Sequence, residues 1–257
     1  VNLLVRVIAI IVVLVIVNKW TNPANKLSWT FLILLSPIFG LMVYFLFGRS
    51  GLTKHTRERM DAVNRQVEAL FQRDSAEEKG LEKESRSAYL QSSYIDKWAG
   101  FPLYQNTQTK YYSCGEEMFP DMLEALRGAK HFIFLEYFII EEGYMFNTIL
   151  DILEEKAKAG VDVRFIYDDV GSINSISFGY YKKLQERGIP CVTFNPFKPL
   201  ISVVMNNRDH RKIFVVDGYI GFTGGINLAD EYINKVKRFG YWKDTGVRIE
   251  GEAVWSL

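Results

Sequence analysis

Cysteine is nearly absent: Cys114 and Cys191 are the only two in 257 residues. Two are too few for a disulfide framework, and free thiols in a reducing compartment are the default reading. Histidine occurs three times, at His55, His131 and His210, and no Cys/His spacing suited to a metal is present. No cofactor is expected either. Net charge is almost nil, with 31 basic against 30 acidic side chains. That leaves no general electrostatic pull toward nucleic acid, and no nucleic-acid partner is expected. The chain opens on Val1 rather than Met and closes on the apolar stretch 253–257. Both ends read as cut, so a longer parent protein is expected.

The mean hydropathy is near zero only because apolar and polar residues are segregated. Residues 27–47 form 21 positions without a charge. As one helix they would rise about 30 Å, enough to cross a bilayer core. Residues 1–17 are nearly as apolar, interrupted by Asn2 and Arg6, and a polar connector at 18–26 separates the two runs. The pattern predicts a two-helix transmembrane hairpin over residues 1–49, with Trp20, Trp29 and Tyr44 at the membrane interfaces. No small-residue cleavage site follows the first run, which disfavours a signal peptide. Arg49, Lys54, Arg57 and Arg59 follow the second run, against Lys19 and Lys26 in the connector. That asymmetry predicts a multi-pass cell-membrane protein with its downstream part in the cytoplasm.

Residues 50–108 read as a juxtamembrane linker region. Met60, Val63, Val67, Leu70 and Phe71 recur at helical intervals among many charges. Such a helix fits a bilayer surface, the face of the next domain, or plain solvent. The charge-rich stretch 74–87 reads as an exposed linker. Regular alternation then fills residues 109–257. Helices are predicted at 116–127, 146–159 and 178–187, and strands at 131–140, 161–167 and 189–194. Strands separated by helices predict an α/β fold, a largely parallel sheet flanked by helices and joined by right-handed crossovers. A strand pair over 209–223 would make the sheet mixed.

That strand pair carries the chemistry. His210 and Lys212 are two apart ahead of the apolar run 213–216, so an extended chain points them the same way. Asp217-Gly218 supplies a hairpin turn, and the return run ends in Gly224-Gly225 before Asn227. An imidazole nucleophile, an ammonium and a carboxamide around one space suit a phosphodiester. The imidazole attacks phosphorus, and the other two hold the developing negative charge. Gly224 and Gly225 would let backbone approach the phosphate.

The spacing H-x-K-x-x-x-x-D, six residues, then G-G-x-N resembles the signature of the phospholipase D superfamily. Leu27-Ser28-Trp29, Ser36-Pro37-Ile38-Phe39-Gly40, Tyr44 and Phe47-Gly48-Arg49 resemble the N-terminal membrane segment of bacterial cardiolipin synthases. The resemblance implies a phospholipase D-like sheet forming one half of a two-lobed fold. It implies a phosphatidyltransferase that makes cardiolipin from two phosphatidylglycerol molecules and releases glycerol, through a phosphatidyl-histidine. It uses no metal, and its partners are phosphatidylglycerol and anionic membrane lipid. His210 or its counterpart in a second H-x-K-x-x-x-x-D motif attacks, and the other of the two protonates the leaving glycerol; this sequence does not contain the second copy. The second catalytic half would come from the rest of a longer chain or from a second copy. Hydrolysis, transfer to another alcohol, and a non-catalytic membrane adaptor are the competing functions.

The supporting residues leave alternatives open. The superfamily often holds its histidine with an acid beyond the motif, which makes Asp244 the candidate anchor; a plain turn or cap is the other reading. Asp217 belongs to the motif but begins a turn, so its role is read as mainly structural. Asp168 and Ser172, in a D-x-x-G-S stretch also seen in cardiolipin synthases, fit either a pocket or a cap. Glu136, inside an apolar strand, needs an Arg partner or a shifted pKa. Arg208 would meet anionic headgroups weakly, and Arg211 would point away from His210. His55 and His131 read as surface or packing residues.

Overall fold

Pro37 decides the architecture of the N-terminal segment. It has no N–H and disfavours helical backbone in the residue before it. Ser36 accordingly leaves the helix at φ −138° and ψ 83°. The computed structural model describes residues 3–48, 54–71, 73, 75–197 and 207–257. In place of one helix over 27–47, the chain forms α2 (Pro23–Leu35) and α3 (Pro37–Phe47), preceded by α1 (Leu3–Asn18). At 1.5 Å per residue these rise about 24, 20 and 17 Å in chain order, short of a hydrocarbon core of about 30 Å. No helix among the described residues is long and apolar enough to cross a membrane. The expectation of two spanning helices is not met. Arg49, on which the orientation argument leaned, lies outside the described residues.

The three helices make a small apolar cluster of Ala9, Ile16, Ile33, Leu41 and Tyr44. Gly40 permits it: a Cβ there would lie 2.6 Å from the Ile33 Cα. Trp29 meets Tyr44 edge-on at 5.5 Å, and Trp20 is fully exposed. Tyr44 is buried among these helices. Most of the apolar surface of these helices faces outward, including Leu3, Leu14, Leu27, Phe31, Leu35 and Ile38.

The chain divides into two compact units at Met60, inside α4 (Lys54–Glu68), and residues 61–108 group with the sheet. The stretch expected to be an exposed linker is helical: α5 (Ser75–Glu84) packs on α6 (Arg86–Ala99). Its Ala, Glu and Lys residues are good helix formers, so charge alone was a poor guide to linker. Ser85 caps α6 by accepting from the Ala88 N–H.

The sheet has seven strands: β1 (Thr107–Tyr112), β2 (Phe132–Tyr137), β3 (Asp162–Asp168), β4 (Cys191–Phe194), β5 (Ile213–Val216), β6 (Ile220–Gly224) and β7 (Gly246–Gly251). Their spatial order is β1-β7-β6-β5-β2-β3-β4. β2, β3 and β4 are parallel, and the other pairings are antiparallel, so the sheet is mixed. The crossovers run through α8 (Tyr144–Lys158) and α9 (Tyr180–Glu186), and α7 (Gly115–Gly128) joins β1 to β2. Ile133, Leu135, Tyr137, Val163, Phe165, Tyr167, Phe214 and Val216 fill the core beneath these helices. The alternate residues Phe134, Ile166, Ile213 and Val215 line a cleft of about 570 Å³ on the other face. One periodicity of two thus gives the sheet a packed side and an open side.

Candidate active site

β2 ends at Tyr137, earlier than the sequence suggests, and the residues beyond it build the site. Ile140 and Leu228 form an isolated parallel bridge, with Glu141 N–H donating to the Leu228 carbonyl at 3.0 Å. This seats the segment after β6 beside Phe138 and Ile139. Asn227 is buried there, its Oδ1 accepting from the Ile139 N–H at 3.0 Å and its Nδ2 donating to the Tyr232 hydroxyl at 2.9 Å. That contact uses one of its two amide hydrogens, and the other has no partner among the described residues.

His210 and Lys212 do not lie in a strand: β5 starts at Ile213, and both residues precede it in irregular chain. Two-residue alternation is therefore not what brings them together. The Phe138 ring does. The exposed His210 imidazole meets it edge-on at 4.7 Å, and the Lys212 ammonium lies 5.3 Å from its centre. Lys212 is buried and donates to the His210 carbonyl at 2.8 Å, which keeps two further N–H donors. Burial pulls its pKa down, while Asp244 and Asp209 oppose that shift and favour the cation. His210, Lys212 and Asn227 thus converge on residues 138–139, at the carboxyl end of β2. That is where ligands gather in open α/β sheets.

The D-x-x-G-S stretch holds this arrangement without entering it. Asp168 is fully buried; its oxygens accept from the Val170, Gly171 and Asp209 N–H groups at 3.0, 2.8 and 2.9 Å. Arg208 pairs with Asp168 at 3.3 Å and donates to the Asn195 carbonyl, which places it in the scaffold rather than toward headgroups. Ser172 Oγ donates to the Phe138 carbonyl and accepts from the Ile140 N–H. Gly171 has no room for a side chain, since a Cβ would stand 2.3 Å from the Phe138 carbonyl oxygen. The loop fixes both the floor of the site and the backbone that leads into His210.

The acids divide by task. Asp217, at φ +52° in the β5–β6 turn, accepts from the N–H groups of Lys130, His131 and Phe132 at 2.7–2.9 Å. Burial opposes its ionisation, but those three donors hold its pKa below the usual value. Its work is to tie the turn to the start of β2. Asp244 accepts from the Thr245 N–H at 2.7 Å and from the Trp242 indole at 3.3 Å. Among the described residues it makes no hydrogen bond to His210. Its carboxylate instead lies over Gly225, where a Cβ would come within 2.1 Å of Oδ1. Gly224 faces the Thr245 carbonyl in the same way, at φ +153°. The paired glycines thus leave room for Asp244 and the Thr245 carbonyl to approach closely.

Glu136 faces away from the core, 2.6 Å from the Arg211 guanidinium, which also pairs with Asp209. Burial and the hydrogen bond with Asp209 push the Glu136 pKa up to about 7, while Asp209 is held low by Arg211 and Glu136 against its own burial. Of the two carboxyls, Glu136 is the one that burial and its neighbour favour in the protonated form. No group of His, Cys, Asp or Glu among the described residues could hold a metal. Phe138 and Tyr232 were invisible as site residues in the sequence. Phe138 stands in an apolar run, and Tyr232 only acquires a role through Asn227.

Residues 122–238 match the family described as cardiolipin synthase, PLD-like domain, and residues 7–49 match the family described as phospholipase D-nuclease N-terminal. A cardiolipin synthase of Alkalihalophilus pseudofirmus is 37% identical over 241 residues, covering 92% of this chain and 47% of that protein. A cardiolipin synthase of Halalkalibacterium halodurans is 34% identical over 258 residues, 100% of this chain and 51% of that protein. An uncharacterized protein of Streptococcus mutans serotype c is 40% identical over 245 residues, covering 95% and 53%. The chain spans about half the length of these curated relatives.

Proposed function

Because the chain carries a phospholipase D-like domain of the cardiolipin synthase kind, we propose that it is one catalytic half of a phosphatidyltransferase making cardiolipin from two phosphatidylglycerol molecules. The observation that carries this reading is the convergence of His210, Lys212 and Asn227 on Phe138 and Ile139. The exposed His210 imidazole attacks the phosphorus of the first phosphatidylglycerol. A bond forms from ring nitrogen to phosphorus, and the phosphorus–oxygen bond to glycerol breaks. Lys212 and the spare Asn227 N–H hold the phosphoryl oxygens as charge builds on them. The leaving glycerol takes its proton from the histidine of a second catalytic half, supplied by the same full-length chain or by a second copy. The hydroxyl of a second phosphatidylglycerol then gives its proton to that second histidine and attacks the phosphatidyl-histidine; the phosphorus–nitrogen bond breaks and frees His210.

Asp244 serves this scheme through Lys212, whose positive charge it supports against burial. Asp217 serves it by fixing the turn behind the motif. The outward apolar surface of α1–α3 seats the protein in the cell membrane, with the sheet domain on the cytoplasmic side. Exposed apolar surface on this scale marks an interaction site.

The test is product analysis with the full-length protein in vesicles of phosphatidylglycerol. Cardiolipin and glycerol should appear together, and His210→Ala should abolish both. Phosphatidic acid in place of cardiolipin would make the enzyme a hydrolase. Undiminished glycerol release by His210→Ala would remove His210 from the reaction.

A further inference from the structure

The segment joining the 3₁₀ turn Asp230–Ile233 to β7 has an unusual surface. From 235 to 243 it reads K-V-K-R-F-G-Y-W-K, with four cations, no acid, and an apolar or aromatic residue beside each cation. Phe239 is 70% exposed, Tyr241 64% and Val236 48%. The segment has no regular secondary structure, yet it is closed at its base. Asn234 donates to the Trp242 carbonyl at 2.9 Å and accepts from the Trp242 N–H at 2.6 Å. Gly240, at φ +90°, turns the chain at the tip, with open space where a side chain would be. The result is a buckled finger whose tip presents an aromatic ring to solvent.

The finger is wired to the site. Phe239 lies 5.9 Å from the Trp242 ring, and Trp242 lies 4.9 Å from the Tyr232 ring. Tyr232 holds Asn227, and the Trp242 indole donates to Asp244. Two of the four cations are partly spoken for: Arg238 pairs with Glu141 and Glu231, and Lys243 donates to the Ser113 carbonyl. Lys235 lies 4.2 Å from the centre of the Tyr144 ring, itself half exposed. Aromatic rings interleaved with lysines are the side chains that favour a bilayer interface, where the ring sits at headgroup depth and the ammonium meets phosphate.

We propose that residues 235–243 dock on an anionic bilayer, Phe239 and Tyr241 entering the headgroup layer while Lys235 and Lys237 face lipid phosphates. Charge complementarity selects this partner, because a cationic finger with no acid in it gains at a negative surface and not at a neutral one. This deepens the lipid-transfer reading by naming the surface against which that site works. The following test uses no turnover, so the two can fail separately.

Cys114 and Cys191 are buried, so a nitroxide can be directed to Phe239→Cys or Tyr241→Cys in the full-length protein, with any cysteine outside these 257 residues replaced by serine. Glu155→Cys on the exposed side of α8 serves as the reference position. Collision with a water-soluble nickel chelate is measured in detergent, in phosphatidylcholine vesicles, and in an equal mixture with phosphatidylglycerol. Labels at 239 and 241 should lose several-fold of their nickel accessibility when phosphatidylglycerol is included, and the reference should not. Lys237→Glu should weaken that dependence, each juxtamembrane charge being worth about five-fold in binding. Equal accessibility in both lipids would overturn the proposal. So would labels already shielded in detergent, which would mean that protein, not lipid, covers the finger.

Discussion

Gly225→Ala is the sharpest probe of how the site is assembled. The new methyl carbon would lie 2.1 Å from Asp244 Oδ1 and 2.7 Å from Cγ and Oδ2. Even a close carbon–oxygen contact is about 3.3 Å, so the carboxylate must withdraw by about 1 Å. The Gly225 backbone is outside the left-handed region, so alanine brings no strain of its own there. Withdrawal would weaken the Thr245 and Trp242 contacts and displace the negative charge that supports Lys212. A shift of this size in a catalytic array costs on the order of 100-fold in rate, or about 2.7 kcal/mol of transition-state stabilisation. The assay is glycerol release from phosphatidylglycerol by the full-length protein, with a thermal melt to show that the fold survives. The comparison that matters is with Asp244→Ala. If Gly225 acts only by admitting Asp244, the double variant should be no slower than Asp244→Ala alone. Full additivity of the two losses, or wild-type turnover by Gly225→Ala, would refute this account of the paired glycines.

Three other perturbations read different parts of the structure. Asp217→Asn weakens a carboxylate that serves three backbone donors, and should cost about 2–3 kcal/mol in denaturant unfolding. Because the Asp217 pKa is lowered in the fold, its stabilisation is full above the ordinary carboxyl range and is lost as pH falls through the folded value. The variant should therefore show a shallower acid limb. Glu136 has the opposite sign: with its pKa raised from 4.5 to about 7, stability falls as pH rises through that window, because the unfolded carboxyl ionises first. Glu136→Gln should flatten the melting temperature across the window and leave the variant more stable than wild type above it. Tyr232→Phe removes the acceptor for Asn227 Nδ2 and should lower turnover about five- to ten-fold with little change in KM.

Much of the sheet domain is legible in the sequence because its signals are local. The periodic runs that became α7, α8 and α9, with the strands between them, imply parallel strands joined by crossovers, and β2, β3 and β4 are parallel. The pairing of β1 with β7 was not legible, since it joins Thr107 to Gly251 across most of the domain and no local pattern encodes it. The motif spacing picked out His210, Lys212 and Asn227, but the reason for their proximity lies elsewhere, in Phe138 and the D-x-x-G-S loop that carries it. An aromatic ring in an apolar run looks like core until a histidine is seen against it. At the N-terminus a hydropathy count over 27–47 had no way to register the break at Ser36, although Pro37 carried the warning.

Turnover by this scheme requires the His210 imidazole to become covalently bound to the phosphorus of the lipid. The direct measurement is to mix full-length protein with phosphatidylglycerol, quench in alkali, where a phosphorus–nitrogen bond to histidine survives, and locate the adduct by peptide mass spectrometry. A phosphatidyl group, or its glycerophosphoryl remnant where alkali has cleaved the acyl esters, is expected on the peptide holding His210, and none in His210→Ala. An unmodified His210 during steady turnover, with the lipid phosphorus carried by another residue, would contradict it.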